Sequence, residues 1–145
     1  MLKVEDFLTK DQEQLIINAI KIAEKNTSGE IRIHIEKSSD KEPMDRALDV
    51  FYDLKMNETA LKNGVLLYVA VETQQFAIIG DVGIHTKVTD SFWNSTKDIV
   101  FTHFAKKEYA KGLELAILEV GEKLKTFFPY QSNDTNELSD EISKG

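Results

Sequence analysis

The sequence predicts an α/β fold, a three-layer α/β/α sandwich built on a small mixed sheet. Two stretches, 63–71 and 76–80, are apolar at successive positions and bounded by turn residues, as strands covered on both faces are. A strictly alternating stretch, 30–36, lies between two segments with apolar residues at helical spacing, which sets up a strand–helix–strand unit. Two more helical segments follow the strands, giving the order α-β-α-β-β-α-α.

The first helix is read from "LTKDQEQLIINAIKIAEKNTSG". Thr9 and Gln12 form a capping box, Leu15, Ala19, Ile22 and Ala23 make the expected apolar stripe, and Asn26 and Gly29 stop it. "EIRIHIE" places Ile31, Ile33 and Ile35 on one face and Arg32, His34 and Glu36 on the other, so only one face is expected to be well buried. Pro43 opens the second helix, with Met44, Ala47, Leu48, Phe51 and Leu54 as its apolar set. "NGVLLYVAV" and "FAIIG", joined by the polar "ETQQ", predict a β-hairpin. A third helix is expected from about Thr89 to Lys106, with Phe92, Trp93, Ile99, Val100 and Phe104 inward. In the last, Tyr109, Leu113, Ala116, Ile117, Val120, Leu124 and Phe127 fit one stripe. After Pro129 the chain turns acidic and poor in apolar residues. Residues 1–128 are therefore read as one domain and 129–145 as a disordered tail. Leu67, Val69, Ile78, Trp93, Leu113, Ile117 and Val120 are expected in the core.

Composition narrows the function. The 145 residues contain no cysteine, which excludes disulfides, thiolate zinc sites and cysteine nucleophiles. A net charge of −7 and a pI near 5.0 argue against nucleic acid or anionic lipid as partner. "MLKVEDFLTK" lacks a signal-peptide apolar core, and no run approaches the ~20 apolar residues of a membrane span. A cytoplasmic protein without direct membrane insertion is expected.

The predicted topology has a consequence for the site. With strands one and two parallel and three antiparallel to two, Glu30, Asn63-Gly64 and Gly80-Asp81 meet at one end of the sheet. Glu30, Asn63, Gly64, Gly80, Asp81 and Gly83 are thus the candidate binding residues. Glu30 and Asp81 could share Ca2+ or Mg2+, with Asn63 as a carbonyl ligand. The same residues also have a structural reading, in which Asp81 caps a turn, Asn63-Gly64 forms one, and Glu30 closes strand one.

"NGVLLYVAVETQQFAIIGDVGI", followed by "VTDSFW" and "FAKKEYAKGLELAI", resembles the TPM domain family, which includes bacterial YgcG-like proteins, plant thylakoid-lumen phosphatase-like proteins and an animal receptor accessory protein. The resemblance covers about residues 6–127. It implies an α/β/α sandwich, a divalent-cation site at the strand ends with Asp90 of "VTD" joining Glu30 and Asp81, and, from some plant members, acid phosphatase activity. Many members read Glu-Gly where this chain has His85-Thr86. Small soluble members of this kind accompany a membrane-bound relative, so a protein partner is expected.

Two classes of function remain open. One is a binding or accessory module associated with a membrane-linked partner. The other is a metal-dependent, phosphatase-like hydrolase on the same carboxylate edge, with Asp81 and His85 as the catalytic candidates. His34 is expected to be a solvated or half-buried strand residue, His103 a packing residue, and Asp45, Asp49 and Asp53 a solvated helix face.

Overall fold

A computed structural model describes residues 7–130 and 138–145, and the backbone but not the side chain of Asp90. Its elements are α1 (Lys10–Glu24), β1 (Glu30–Glu36), α2 (Pro43–Asp53), β2 (Gly64–Ala70), β3 (Gln75–Gly80), α3 (Val82–His85), α4 (Asn94–Ala105), α5 (Tyr109–Lys125) and β4 (Ser143–Lys144). The sheet has the order β3-β2-β1-β4. β2 runs parallel to β1, with Glu30 opposite Gly64, and antiparallel to β3, with Val65 opposite Gly80. The parallel step follows from the helical crossover through α2, and the antiparallel step from the short "ETQQ" turn.

The two faces of the sheet carry separate cores. Odd-numbered positions of β1 and β2 (Ile31, Ile33, Ile35, Val65, Leu67, Val69) and, across the antiparallel register, the even-numbered Phe76 and Ile78 of β3 pack against α1, α4 and α5. Even positions of β2 (Leu66, Tyr68, Ala70) and Ala77 of β3 pack against Ala47, Val50 and Phe51 of α2 and against Met56. All seven expected core residues are buried, Trp93 the least at 9% exposure.

The Thr9 capping box forms: the Gln12 N–H donates to Thr9 Oγ1 at 3.1 Å, and the Thr9 N–H donates to Gln12 Oε1 at 2.9 Å. The faces of the first two helices differ from expectation. α1 buries Ile16, Ala19, Ile20 and Ala23, leaving Leu15 and Ile22 exposed. Two apolar stripes run down this helix, and close packing against α5 selects one. Ala23 lies so near Gly121 that a Cβ there would fall 2.7 Å from the alanine's own. α2 buries Ala47, Val50 and Phe51, and leaves Met44 and Leu48 exposed. The expected third helix begins with a 3₁₀ turn, Asp90–Trp93, before α4.

The tail reading also changes. Residues 138–145 lie on the sheet, where Ser143 and Lys144 pair in parallel with His34 and Ile35 of β1 and the Gly145 N–H donates to the Ile35 carbonyl at 3.0 Å. Leu138 and Ile142 pack on the two cores. Composition misses this because two apolar side chains and a few backbone bonds suffice at an open strand edge. Residues 131–137 of the expected tail lie outside the described residues.

This segment brings Asp140 to Glu24 at the end of α1. Burial, then hydrogen bonding to Asp140 and the charges of Asp140 and Glu30, push the Glu24 carboxyl up to about 10, against a smaller opposing effect from the Ile31 N–H. A raised carboxyl pKa means the folded state holds a proton that the unfolded state releases above about 4.5. This contribution to stability is complete below that pH and declines as pH rises toward 10. Glu24→Gln is therefore expected to raise Tm at pH 8–9, with the difference shrinking toward pH 5. A Tm gap that is the same at every pH would contradict it.

Candidate functional site

The register places three of the sequence motifs side by side. Glu30 lies opposite Gly64, and the Asp81 N–H donates to the Gly64 carbonyl at 2.9 Å, so the three positions follow one another across β1, β2 and the end of β3. The Asn63 carbonyl accepts from the Glu30 N–H at 3.3 Å. Glu30, Asn63 and Asp81 are all buried, at 4%, 1% and 7% exposure.

Adjacent positions do not make a shared ligand set. The space over Gly64, between Glu30 and Asp81, is filled: a Cβ there would lie 3.2 Å from the Met56 carbonyl oxygen and 3.7 Å from Leu138. Asp81 instead caps α3, its Oδ1 accepting from the Val82 N–H at 2.7 Å, while the buried Oδ2 has no hydrogen-bond partner. Among the described residues no three His, Asp or Glu side chains group to hold a metal, and the Asp90 side chain lies outside them.

The glycines act through close approach. Neither has a positive φ. A Cβ on Gly83 would lie 2.4 Å from the carbonyl oxygens of both Leu61 and Lys62, and the Gly83 N–H donates to Lys62 at 2.8 Å. The 80–83 motif thus docks α3 onto the loop before β2. Gly83→Ala is expected to cost about 1–3 kcal/mol by overpacking, read as a fall in Tm. An unchanged Tm would contradict this docking.

Around Asp81 opens a groove of about 510 Å³. Met44, Leu48 and Tyr52 of α2 form one wall, Val82, His85, Trp93 and Lys97 the other, and Ile78–Asp81 the floor. Met44, Leu48, Tyr52 and Val82 are among the exposed large apolar side chains of the chain. The floor is a sheet edge. Because Asp81 and Gly64 form a hydrogen-bonded antiparallel pair, bonded pairs recur at Ile79, Ala77 and Gln75. The N–H and C=O groups of Gly80, Ile78 and Phe76 then face away from β2, toward the edge. Asp45 and Asp81 give the groove its negative charge, with Lys97 opposed.

A second polar cluster escaped the sequence reading. Arg46 Nε and Nη2 donate to Glu36 Oε2 and Oε1, both at 2.9 Å, and the Tyr68 hydroxyl also donates to Oε2. His34 Nε2 lies 3.1 Å from Glu36 Oε1, and its Nδ1 lies 2.8 Å from Ser143 Oγ. His34 and Glu36 are buried, at 5% and 4% exposure, so the expected solvated face of β1 is in fact covered. Burial would raise the Glu36 pKa, but hydrogen bonds from Arg46, Tyr68 and His34 outweigh it and bring it down to about 2. Burial lowers the His34 pKa against the pull of Glu36. Neither the Asp81 groove nor the smaller cavity beneath β1 reaches this cluster, and its role is to fasten α2 and β4 to the sheet. Arg46 on α2 facing a polar strand side was the available signal.

His103 is a packing residue, with Nδ1 2.8 Å from the Ile99 carbonyl. His85 is exposed on the groove wall.

An α/β domain with a mixed sheet and a groove at the end of its edge strand is the class these features define. The chain belongs to the TPM domain family, whose model matches residues 2–123. It is similar over its whole length to the BA42 protein of the psychrophilic bacterium Bizionia argentinensis, at 48% identity and a TM-score of 0.93, covering 100% of both chains. The N-terminal domain of a P. gingivalis protein shares the fold at 18% identity and TM-score 0.68, covering 92% of this chain and 99% of that one. The N-terminal domain of cg2496 from Corynebacterium glutamicum does so at 14% and 0.61, covering 95% and 81%. No curated protein matches the chain. No described helix is long and apolar enough to cross a membrane.

Proposed function

We propose that the chain is a binding and accessory module whose partner adds an extended segment to the free edge of β3. The observation that carries this reading is the outward-facing backbone at the end of β3, where the buried Ile78 and the half-buried Gly80 line an apolar groove. Strand addition supplies affinity through main-chain hydrogen bonds and specificity through side-chain contacts on either wall. Asp45 and Asp81 favour a segment carrying basic residues between apolar ones. That the partner is membrane-linked rests on the family resemblance alone.

An acetylated, amidated hexapeptide of alternating valine and lysine is a suitable probe. It is expected to bind with a saturable isotherm. The same peptide N-methylated at every second residue, which keeps the charge but loses donors on one edge, is expected to fail. Leu48→Arg, at an exposed wall position, is expected to weaken binding about tenfold at unchanged Tm. Equal binding of both peptides would refute strand addition.

The second reading, a divalent-cation site serving a phosphatase-like hydrolase, is favoured by the unpartnered Asp81 Oδ2. Calcium takes six to eight oxygens, and with Glu30 walled off by Met56 and Leu138 the described residues do not furnish a set of that kind. The test of this reading is a melt with and without Ca2+ or Mg2+: a bound ion stabilises by ~2.7 kcal/mol at a hundredfold excess over Kd, and Asp81→Asn would remove that gain.

A further inference from the structure

We propose that a second cavity, beneath the α2 side of β1, is a binding site for a small oxyanion. The cavity is about 310 Å³ and is lined by Arg32, Leu54, Lys55, Glu58, Thr59, Leu138 and Ser139. Two buried polar groups on its wall lack a hydrogen-bond partner: Arg32 Nε and Thr59 Oγ1, the latter in a residue only 2% exposed. A buried donor without an acceptor is destabilising, so two on one wall call for something to accept from them.

The chemistry of the wall selects the ligand. A guanidinium N–H can only donate, and a hydroxyl can do so beside it. Among the described residues Arg32 forms no salt bridge, and burial lowers its pKa. Lys55 adds a second positive charge and Ser139 a second hydroxyl, against one carboxylate, Glu58. Lys55 sits at φ 58°, the left-handed region that a lysine adopts at some cost, where the chain turns from α2 into the Met56–Glu58 turn that leads to Thr59. Two cations and two hydroxyls around orphaned donors match a phosphate or carboxylate group, with Arg32 as the planar donor. The cavity is larger than the anion alone, which leaves space for a small organic body against Leu54 and Leu138. This site lies on the α2 face near the β4 side of the sheet, away from the β3 groove, and does not depend on the strand-addition reading.

The probes are inorganic phosphate and acetate, titrated into isotopically labelled chain at constant ionic strength held with sodium chloride. Backbone amides of Lys55 and Thr59 and the Arg32 side-chain Nε–H are followed by NMR. Saturable shifts are expected at these groups, with Kd on the order of 1 mM. Arg32→Gln and Thr59→Val are each expected to raise that Kd about tenfold. Because neither side chain has a partner to lose and each substitution removes a buried donor that nothing in the chain satisfies, their Tm values are expected to equal or exceed the parent's. Saturation by phosphate alone identifies a phosphate-bearing ligand, and by acetate alone a carboxylate; either supports the site. Shifts that grow linearly with concentration, or that survive Arg32→Gln unchanged, mean a cavity holding only water and adventitious ions, and overturn it.

Discussion

Glu36→Ala is expected to cost about 3–5 kcal/mol, the range for removing one partner of a buried ion pair. Glu36 is the single acceptor on which Arg46, Tyr68 and His34 converge. Its loss leaves the Tyr68 hydroxyl and His34 buried without their acid, while Arg46, 29% exposed at its side chain, recovers some solvation. The lower half of the range follows from that partial recovery. Glu36→Gln, which keeps an acceptor oxygen but not the charge, is expected to fall between. Equilibrium urea unfolding measures both. The sign with pH is fixed too: a carboxyl held at about 2 stabilises above its ordinary value near 4.5, and that stability is lost as pH falls toward 2. His34, with its lowered pKa, adds to acid-side loss below 6.5. A loss under about 0.5 kcal/mol for Glu36→Ala would show that the cluster is hydrated and dispensable.

Ile117→Ala is expected to cost about 2–5 kcal/mol. Ile117 is fully buried in the middle of α5, in the same core as Ala19, Ile20 and Ala23 of α1 and the strand residues Ile33, Leu67 and Ile78. The spread in such values reflects how far neighbours relax into the cavity. Here Gly121 already holds α5 against Ala23 at contact, so the helix has little room to collapse inward. The upper half of the range is the expected outcome, with a parallel fall in Tm and an unchanged m-value.

The fold was legible wherever one periodicity dominated. α5 carries one stripe and its inward face was read correctly; so were the hairpin and the parallel pairing, because turn length and crossover fix them. α1 and α2 carry more apolar positions than one face needs, and local spacing cannot choose among them. That choice is made by the partner element, α5 in one case and the sheet in the other. Burial of His34 and Glu36 was illegible for a related reason: a strand's polar face reads as solvated unless the sequence reveals an Arg46 and a Tyr68 positioned to satisfy it. β4 depends on the open edge of β1 and has almost no signal of its own. At the candidate site, the convergence of Glu30, Asn63, Gly64 and Asp81 followed from topology. What sequence could not supply was the space between them, filled by Met56 and Leu138, and the groove that Met44 and Leu48 line because they face outward.

Site-resolved amide hydrogen exchange along β3 tests the central claim most directly. The edge groups of Phe76, Ile78 and Gly80 are expected to exchange faster in the free chain than the ladder amides of Ala77 and Ile79. Adding the valine–lysine hexapeptide is expected to slow those three while leaving α1 and α5 unchanged. Peptide binding that leaves the exchange of Phe76, Ile78 and Gly80 unaltered would contradict a module that works by strand addition.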